Sequence, residues 1–255
     1  MSAYFDSLNR RAGNPTPAEP AQAAPGPSPE RSVRPVAPVA PVRRLAPGEM
    51  PSEYRAMREK LLVAGGGKPL KSLVFAGCTG GEGSSQVVRE FAEVLASSGL
   101  NVLLVDADRS GSGPNRPEPL SSEADLTEAV SRRRSLSGTA WGHGKLTLVQ
   151  SPLSAPDKEH LLGSPEFASW LDVQQSAYDY VLLDAPPRLR SADTTLMGRL
   201  CHGAVIDVQS EVTERDALVQ ARDQLERSGV KVVGVVLNRV RNPVPARLRP
   251  YIPMG

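Results

Sequence analysis

The chain has 255 residues, with 30 Lys and Arg against 28 Asp and Glu. A formal net charge of +2 is too even a balance to indicate nucleic acid. Two cysteines, Cys78 and Cys201, provide neither a disulfide framework nor metal-ligand spacing, so a reducing cytoplasm is expected. No apolar run approaches the ~20 residues that cross a bilayer, and MSAYFDSLNRR lacks the charged-then-apolar order of a secretory signal.

Tyr4, Phe5 and Leu8 share one side of a short helix, which reads either as a frayed terminus or as a docking motif that orders on a partner. Eleven of the 24 prolines fall before Ser52, so Ala12–Gly48 has too few large apolar groups to order itself and reads as a partly polyproline-like linker. Pro51 suits a first helical position, and Ser52–Val63 follows as a helix with Met57, Leu61 and Leu62 inward. Ser72–Ala76 is a short apolar strand, and Gln86–Ala96 places Val87, Val88, Phe91, Val94 and Leu95 at helical spacing before Gly99 closes the helix. Val102–Val105 is a second buried strand ending in Asp106 and Asp108.

The turn-rich Arg109–Ser121 leads to a helix at Glu123–Arg132, a strand at Leu146–Gln150 and one or two helices within Glu159–Leu171. Tyr178–Leu183 is a strand ending in Asp184, and Val205–Val208 is another. Thr213–Ser228 is a long amphipathic helix and Val230–Leu237 a last strand. Alternating strands and helices imply an α/β fold, a doubly wound and mostly parallel sheet flanked by helices. The layout is a linker over 1–49 with its short docking helix, one α/β domain over 50–242, and a basic tail over 243–255. Arg239, Arg241, Arg247 and Arg249 at that end are either simply solvated or touch anionic lipid.

The loop GGEGSS, between the first strand and its helix, has the form of a phosphate cradle without its lysine. Glycines let successive N–H groups turn onto an anion, and the helix dipole behind them adds to the attraction. Against G-x-x-x-x-G-K-[ST], Gly83 and Ser85 fit, Cys78 takes the first glycine position and Ser84 takes the lysine. A neutral serine cannot neutralise a terminal phosphate, so the change bears on catalysis more than on fold. Asp106, Asp108 and Asp184, at strand ends beside the loop, suit a magnesium ion and its waters, with one carboxylate free to accept a hydroxyl proton. His143 and His202 have no partner ligand at useful spacing.

From about Tyr54 to Arg241 the chain resembles the bacterial tyrosine kinases of capsule and exopolysaccharide synthesis, P-loop proteins akin to the ParA/MinD partition ATPases. The resemblance rests on EYRAMREKL, GGEGSS, LLVDAD, HLLGSPEF, VLLDAPP and VLNRV in that order. It implies ATP or ADP with Mg2+ as cofactors, bound through Gly80, Gly81, Glu82, Gly83, Ser84 and Ser85. The N–H groups of Gly81 to Ser84 would hold the β-phosphate and Asn238 would meet adenine. It also implies Ser85, Asp106 and Asp184 about the metal, with Asp106 the candidate base and Asp108 beside it. A membrane polysaccharide co-polymerase would be the partner, copies would meet through the Tyr54–Leu62 helix, and the cytoplasmic chain would be drawn to the inner membrane by that partner. The sequence departs from the family at Ser84, at Ser110 where an arginine is expected, at Ser52 with Glu53 displaced by one, and in having only Tyr251 where a tyrosine cluster would lie. The reading is a weakly active or inactive pseudokinase. The alternatives are an active tyrosine autokinase, with Arg109, Lys68 or Lys71 replacing the lost charge, and a ParA/MinD-type ATPase.

Overall fold

Ser72–Gly77 forms β1, and all six of its residues are buried, as a strand covered by helices on both faces requires. Its side chains alternate between two layers. Leu73 and Phe75 join Phe91 and Leu95 on one side, while Val74 and Ala76 join Phe167, Met197 and Leu225 on the other. The computed structural model describes residues 51–107, 124–132, 136, 139–141, 143–150, 160–186 and 192–240, all within the unit Pro41–Gly255. Tyr4, Phe5 and Leu8, the linker, Asp108, Arg109, Ser110 and the tail from Arg241 with Tyr251 lie outside the described residues.

The elements that follow β1 are α2 (Ser84–Ser97), β2 (Asn101–Asp106), β3 (Ala124–Asp125), α3 (Leu126–Arg132), β4 (Thr139–Trp141) and β5 (Gly144–Gln150). Next come α4 (Pro165–Ala177), β6 (Tyr180–Asp184), α5 (Ala192–Leu200), β7 (Gly203–Gln209), α6 (Arg215–Arg227) and β8 (Val232–Asn238), with α1 (Ser52–Ala64) ahead of them all. The strand order is β3-β5-β2-β6-β1-β7-β8, every neighbouring pair parallel, and only β4 runs antiparallel, on β5. The doubly wound α/β fold expected from the alternation is therefore present. Because the strands run parallel, the residues that follow β1, β2, β6, β7 and β8 emerge along one edge of the sheet.

Several elements differ from the sequence expectation, each for a local reason. Pro51 is the N-cap of α1, extended at φ −53 and ψ 145, and the helix begins one residue later. Tyr54, Met57 and Leu61 form its inner side, while Leu62 is 40% exposed, since one further residue turns a side chain about 100° away. Helix α3 starts at Leu126 because Ala124 and Asp125 pair with β5 as β3, and Asp125 Oδ1 accepts from Thr127 N. Helix α4 runs on to Ala177 from a defined start, where Ser164 Oγ accepts from Phe167 N and Pro165 follows. Tyr178 closes that helix, so β6 begins at Tyr180. Neither β4 nor α5 is foreshadowed in the sequence. The ADTTLMGRL of α5 carries β-branched residues and a glycine that weaken a helical signal. Gly198 is required there by packing, because a Cβ would lie 2.7 Å from Val230 Cγ1.

Candidate functional site

The loop after β1 is shaped by three left-handed glycines, Gly80 (φ 103), Gly81 (φ 91) and Gly83 (φ 90), a region that side chains rarely enter. Gly83 is the N-cap of α2, whose first turn holds no acidic residue and no side-chain cap. No cap and no acid of the first turn answers the positive end of the helix, which faces the sheet edge, as an anion site requires. Gly83 accepts from Gln86 N and Val87 N, which opens the helix.

Glu82 does not project outward. It is 2% exposed, and its carboxylate turns beneath the loop. Oε1 accepts from Thr79 N and Thr79 Oγ1, both at 2.6 Å, and Oε2 accepts from Gly80 N at 2.8 Å. The Gly80 N–H is therefore turned inward onto Glu82, and these bonds form a brace that fixes the loop. A Cβ on Gly77 would collide with Glu82 Oε2 and crowd Ser84 Oγ, so the brace needs a glycine at the end of β1.

Asp106 ends β2 and Asp184 ends β6 directly opposite it in register, so both carboxylates project to the face that carries α2. Both are buried, at 7% and 4% exposure, and Gln150 Nε2 donates to Asp106 Oδ2 at 3.1 Å. Ser85 is exposed in the first turn of α2. Two carboxylates and a hydroxyl beside a helix N-terminus fit a magnesium ion that completes its shell with phosphate and water. Among the described residues, no group of three or more His, Cys, Asp or Glu side chains could hold a metal by itself.

Ser84, at the lysine position, has its hydroxyl buried without a hydrogen-bond partner. Below it lies Asp207, fully buried on β7 and paired in register with Gly77. Neither Asp207 oxygen has a hydrogen-bond partner. Burial pushes this carboxyl up to about 7. The nearby Ser84 hydroxyl opposes that shift without reaching hydrogen-bond geometry, and the Glu82 charge adds to it. Serine leaves that carboxylate with no counter-charge at the position.

Asn238 ends β8, and its Nδ2 donates to Glu82 O at 2.8 Å, fastening the loop to the neighbouring strand. The next residue, Arg239, donates from Nη1 to Gly81 O at 3.0 Å and to Gln209 Oε1 at 2.9 Å. Lys71, considered above as a substitute cation, precedes β1 and donates from Nζ to Gln175 O. It therefore lies at the opposite edge, about 20 Å away along a six-residue strand. Asp207 and Arg239 come into view as site residues only in three dimensions. The sequence signals were a lone carboxylate inside GAVIDVQ and a cation directly after Asn238.

The model for the CobQ/CobB/MinD/ParA nucleotide binding domain matches residues 73–252. Among curated proteins the chain is similar to tyrosine-protein kinase YwqD of Bacillus subtilis (28% identical over 73% of this chain and 79% of the relative). It is likewise similar to tyrosine-protein kinase CpsD of Streptococcus agalactiae (28%, over 75% and 84%). The chimerical protein CapA2B2 shares the fold, with a TM-score of 0.63 at 24% identity over 74% of this chain and 84% of that one.

Proposed function

Because the chain belongs to the CobQ/CobB/MinD/ParA nucleotide-binding domain family, we propose that it is a nucleotide-holding regulatory module of exopolysaccharide production, built like a tyrosine kinase and turning over poorly. The observation that carries this reading is Ser84: the cradle and the uncapped α2 terminus are kept, and the ammonium is replaced by a buried hydroxyl. Phosphoryl transfer depends on charge stabilisation at the transferred group, so this loss weakens turnover more than the fold. In this reading the N–H groups of Gly81 to Ser84 receive the β-phosphate of ATP or ADP. Ser85, Asp184 and Asp106 would hold Mg2+, and Asn238 would meet adenine. Asp106, with Asp108 near it in sequence, would take a tyrosine hydroxyl proton in whatever residual activity exists.

A membrane polysaccharide co-polymerase is the proposed partner and would bring the chain to the inner membrane. Among the described residues, no helix is long and apolar enough to cross a membrane. Contacts between copies are proposed through α1, where Val63 is 77% exposed. Segments 1–49 and 243–255 would flank the domain as linker and tail.

The second reading is an active tyrosine autokinase, favoured by the names of the curated relatives. Calorimetry of Mg-ADP with wild type, Ser84→Lys and Ser84→Ala tests the first. Ser84→Lys should tighten binding or raise turnover, and Ser84→Ala should change little. Incorporation of phosphate onto tyrosine by the wild-type chain, reduced by Tyr251→Phe, would replace the first reading with the second.

A further inference from the structure

We propose that Arg239 supplies the positive charge that the loop lacks at Ser84, reaching the terminal phosphate oxygens of a nucleoside di- or triphosphate from the end of β8. The inference deepens the nucleotide reading above and rests on it. Its ground is placement. The guanidinium already lies on the loop, with Nη1 3.0 Å from Gly81 O, and a Cβ on Gly83 would sit 3.5 Å from Nη2 and 3.8 Å from Nε. Both hydrogen-bond acceptors, Gly81 O and Gln209 Oε1, are uncharged, so the cation keeps its attraction for an anion. Exchanging two neutral acceptors for anionic phosphate oxygens is favourable, and the planar fork of arginine suits paired phosphate oxygens. The residue is exposed, which leaves the side chain free to turn from the carbonyl to a ligand at the loop's outer face.

The backbone gives a second, independent indication. Arg239 has φ 54, a left-handed conformation that a long side chain adopts only when its surroundings impose it. Here the Arg239 N–H donates to Asn238 Oδ1 at 2.7 Å, while Asn238 Nδ2 holds Glu82 O. The turn that strains Arg239 is therefore the turn that fastens β8 to the loop, and it aims the guanidinium at the cradle. Among the described lysines near the start of the sheet, Lys71 is engaged at the far edge, so its charge cannot serve this place.

The test uses the full chain and compares calorimetric binding of Mg-ADP with that of AMP in wild type, Arg239→Ala, Arg239→Lys and Arg239→Gly. Loss of a charge on the outer phosphates should weaken Mg-ADP at least tenfold in the alanine and glycine variants, with little change for AMP. Arg239→Lys should retain part of the affinity. Glycine suits the left-handed backbone, so Arg239→Gly separates lost charge from lost folding, and urea denaturation should show it no less stable than wild type. Equal weakening of Mg-ADP and AMP would mean that Arg239 acts on the base or through Asn238, and would overturn the proposal. Wild-type binding that Arg239→Ala leaves unchanged would overturn the role of Arg239 while keeping the nucleotide reading. Absence of Mg-ADP binding by wild type would overturn both.

Discussion

Replacing Asp207 by asparagine should change how the stability of this protein depends on pH. The carboxyl is fully buried under the loop, and burial first, then the Glu82 charge, raise it from its ordinary 3.8 to about 7 against the lowering effect of Ser84. In the unfolded chain the same group loses its proton near 3.8, so across the interval up to about 7 the folded state binds the extra proton. Stability from this group is therefore fully present below the lower value and is lost as pH rises through the upper one. Each pH unit within that interval is worth about 1.4 kcal/mol, so wild type should lose about 3 kcal/mol between about pH 5 and about pH 8 that Asp207→Asn does not lose. The asparagine amide brings its own buried donors and a constant cost of about 1–3 kcal/mol, which offsets both ends of the profile equally. Urea denaturation of both proteins across that range separates the slope from the offset. Two profiles that run parallel would refute the reasoning, because Asp207 would then not change its charge between the folded and unfolded states.

Glu82→Ala should weaken the fold by about 1–3 kcal/mol in chemical denaturation, since it removes the buried carboxylate that accepts from the N–H groups of Thr79 and Gly80. The same change should lower the pH at which Asp207 titrates, because the Glu82 charge is one of the causes that raise it; an unmoved midpoint would contradict that coupling. Gly198→Ala should cost about 1–3 kcal/mol through its clash with Val230, and Val230→Ala in the same chain should recover part of it. Failure of that rescue would mean that α5 moves instead. Tyr54→Phe should cost about 1–3 kcal/mol by removing the 2.5 Å bond to the Glu90 carboxylate, while the ring's stacking on Phe91 remains. A melting temperature equal to wild type would show that the bond adds nothing. Val63→Asp, on the outer side of α1, should lower the sedimentation coefficient if copies meet there, and an unchanged value would place any contact elsewhere.

The alternation of strands and helices and the loop at the edge of the sheet were legible along the chain. Those features depend on local periodicity and on glycines: β1 is apolar along its length because both of its faces are covered, and Gly80, Gly81 and Gly83 hold a left-handed backbone that side chains rarely adopt. The loss of the lysine at Ser84 and the strand-end positions of Asp106 and Asp184 were legible for the same reason. The sequence did not foretell α5 or β4, whose residues form these elements through packing and pairing and not through their own propensity. Nor did it show that Glu82 turns inward, that Lys71 lies at the wrong edge, or that Asp207 and Arg239 converge on the loop from β7 and β8. The crossover order of the sheet sets β7 beside β1 and β8 beside β7, far from the loop in sequence and adjacent to it in space. Charge acts across space and not along the chain, so the folded arrangement alone reveals which carboxylate lies beneath Ser84 and which cation lies beside the loop.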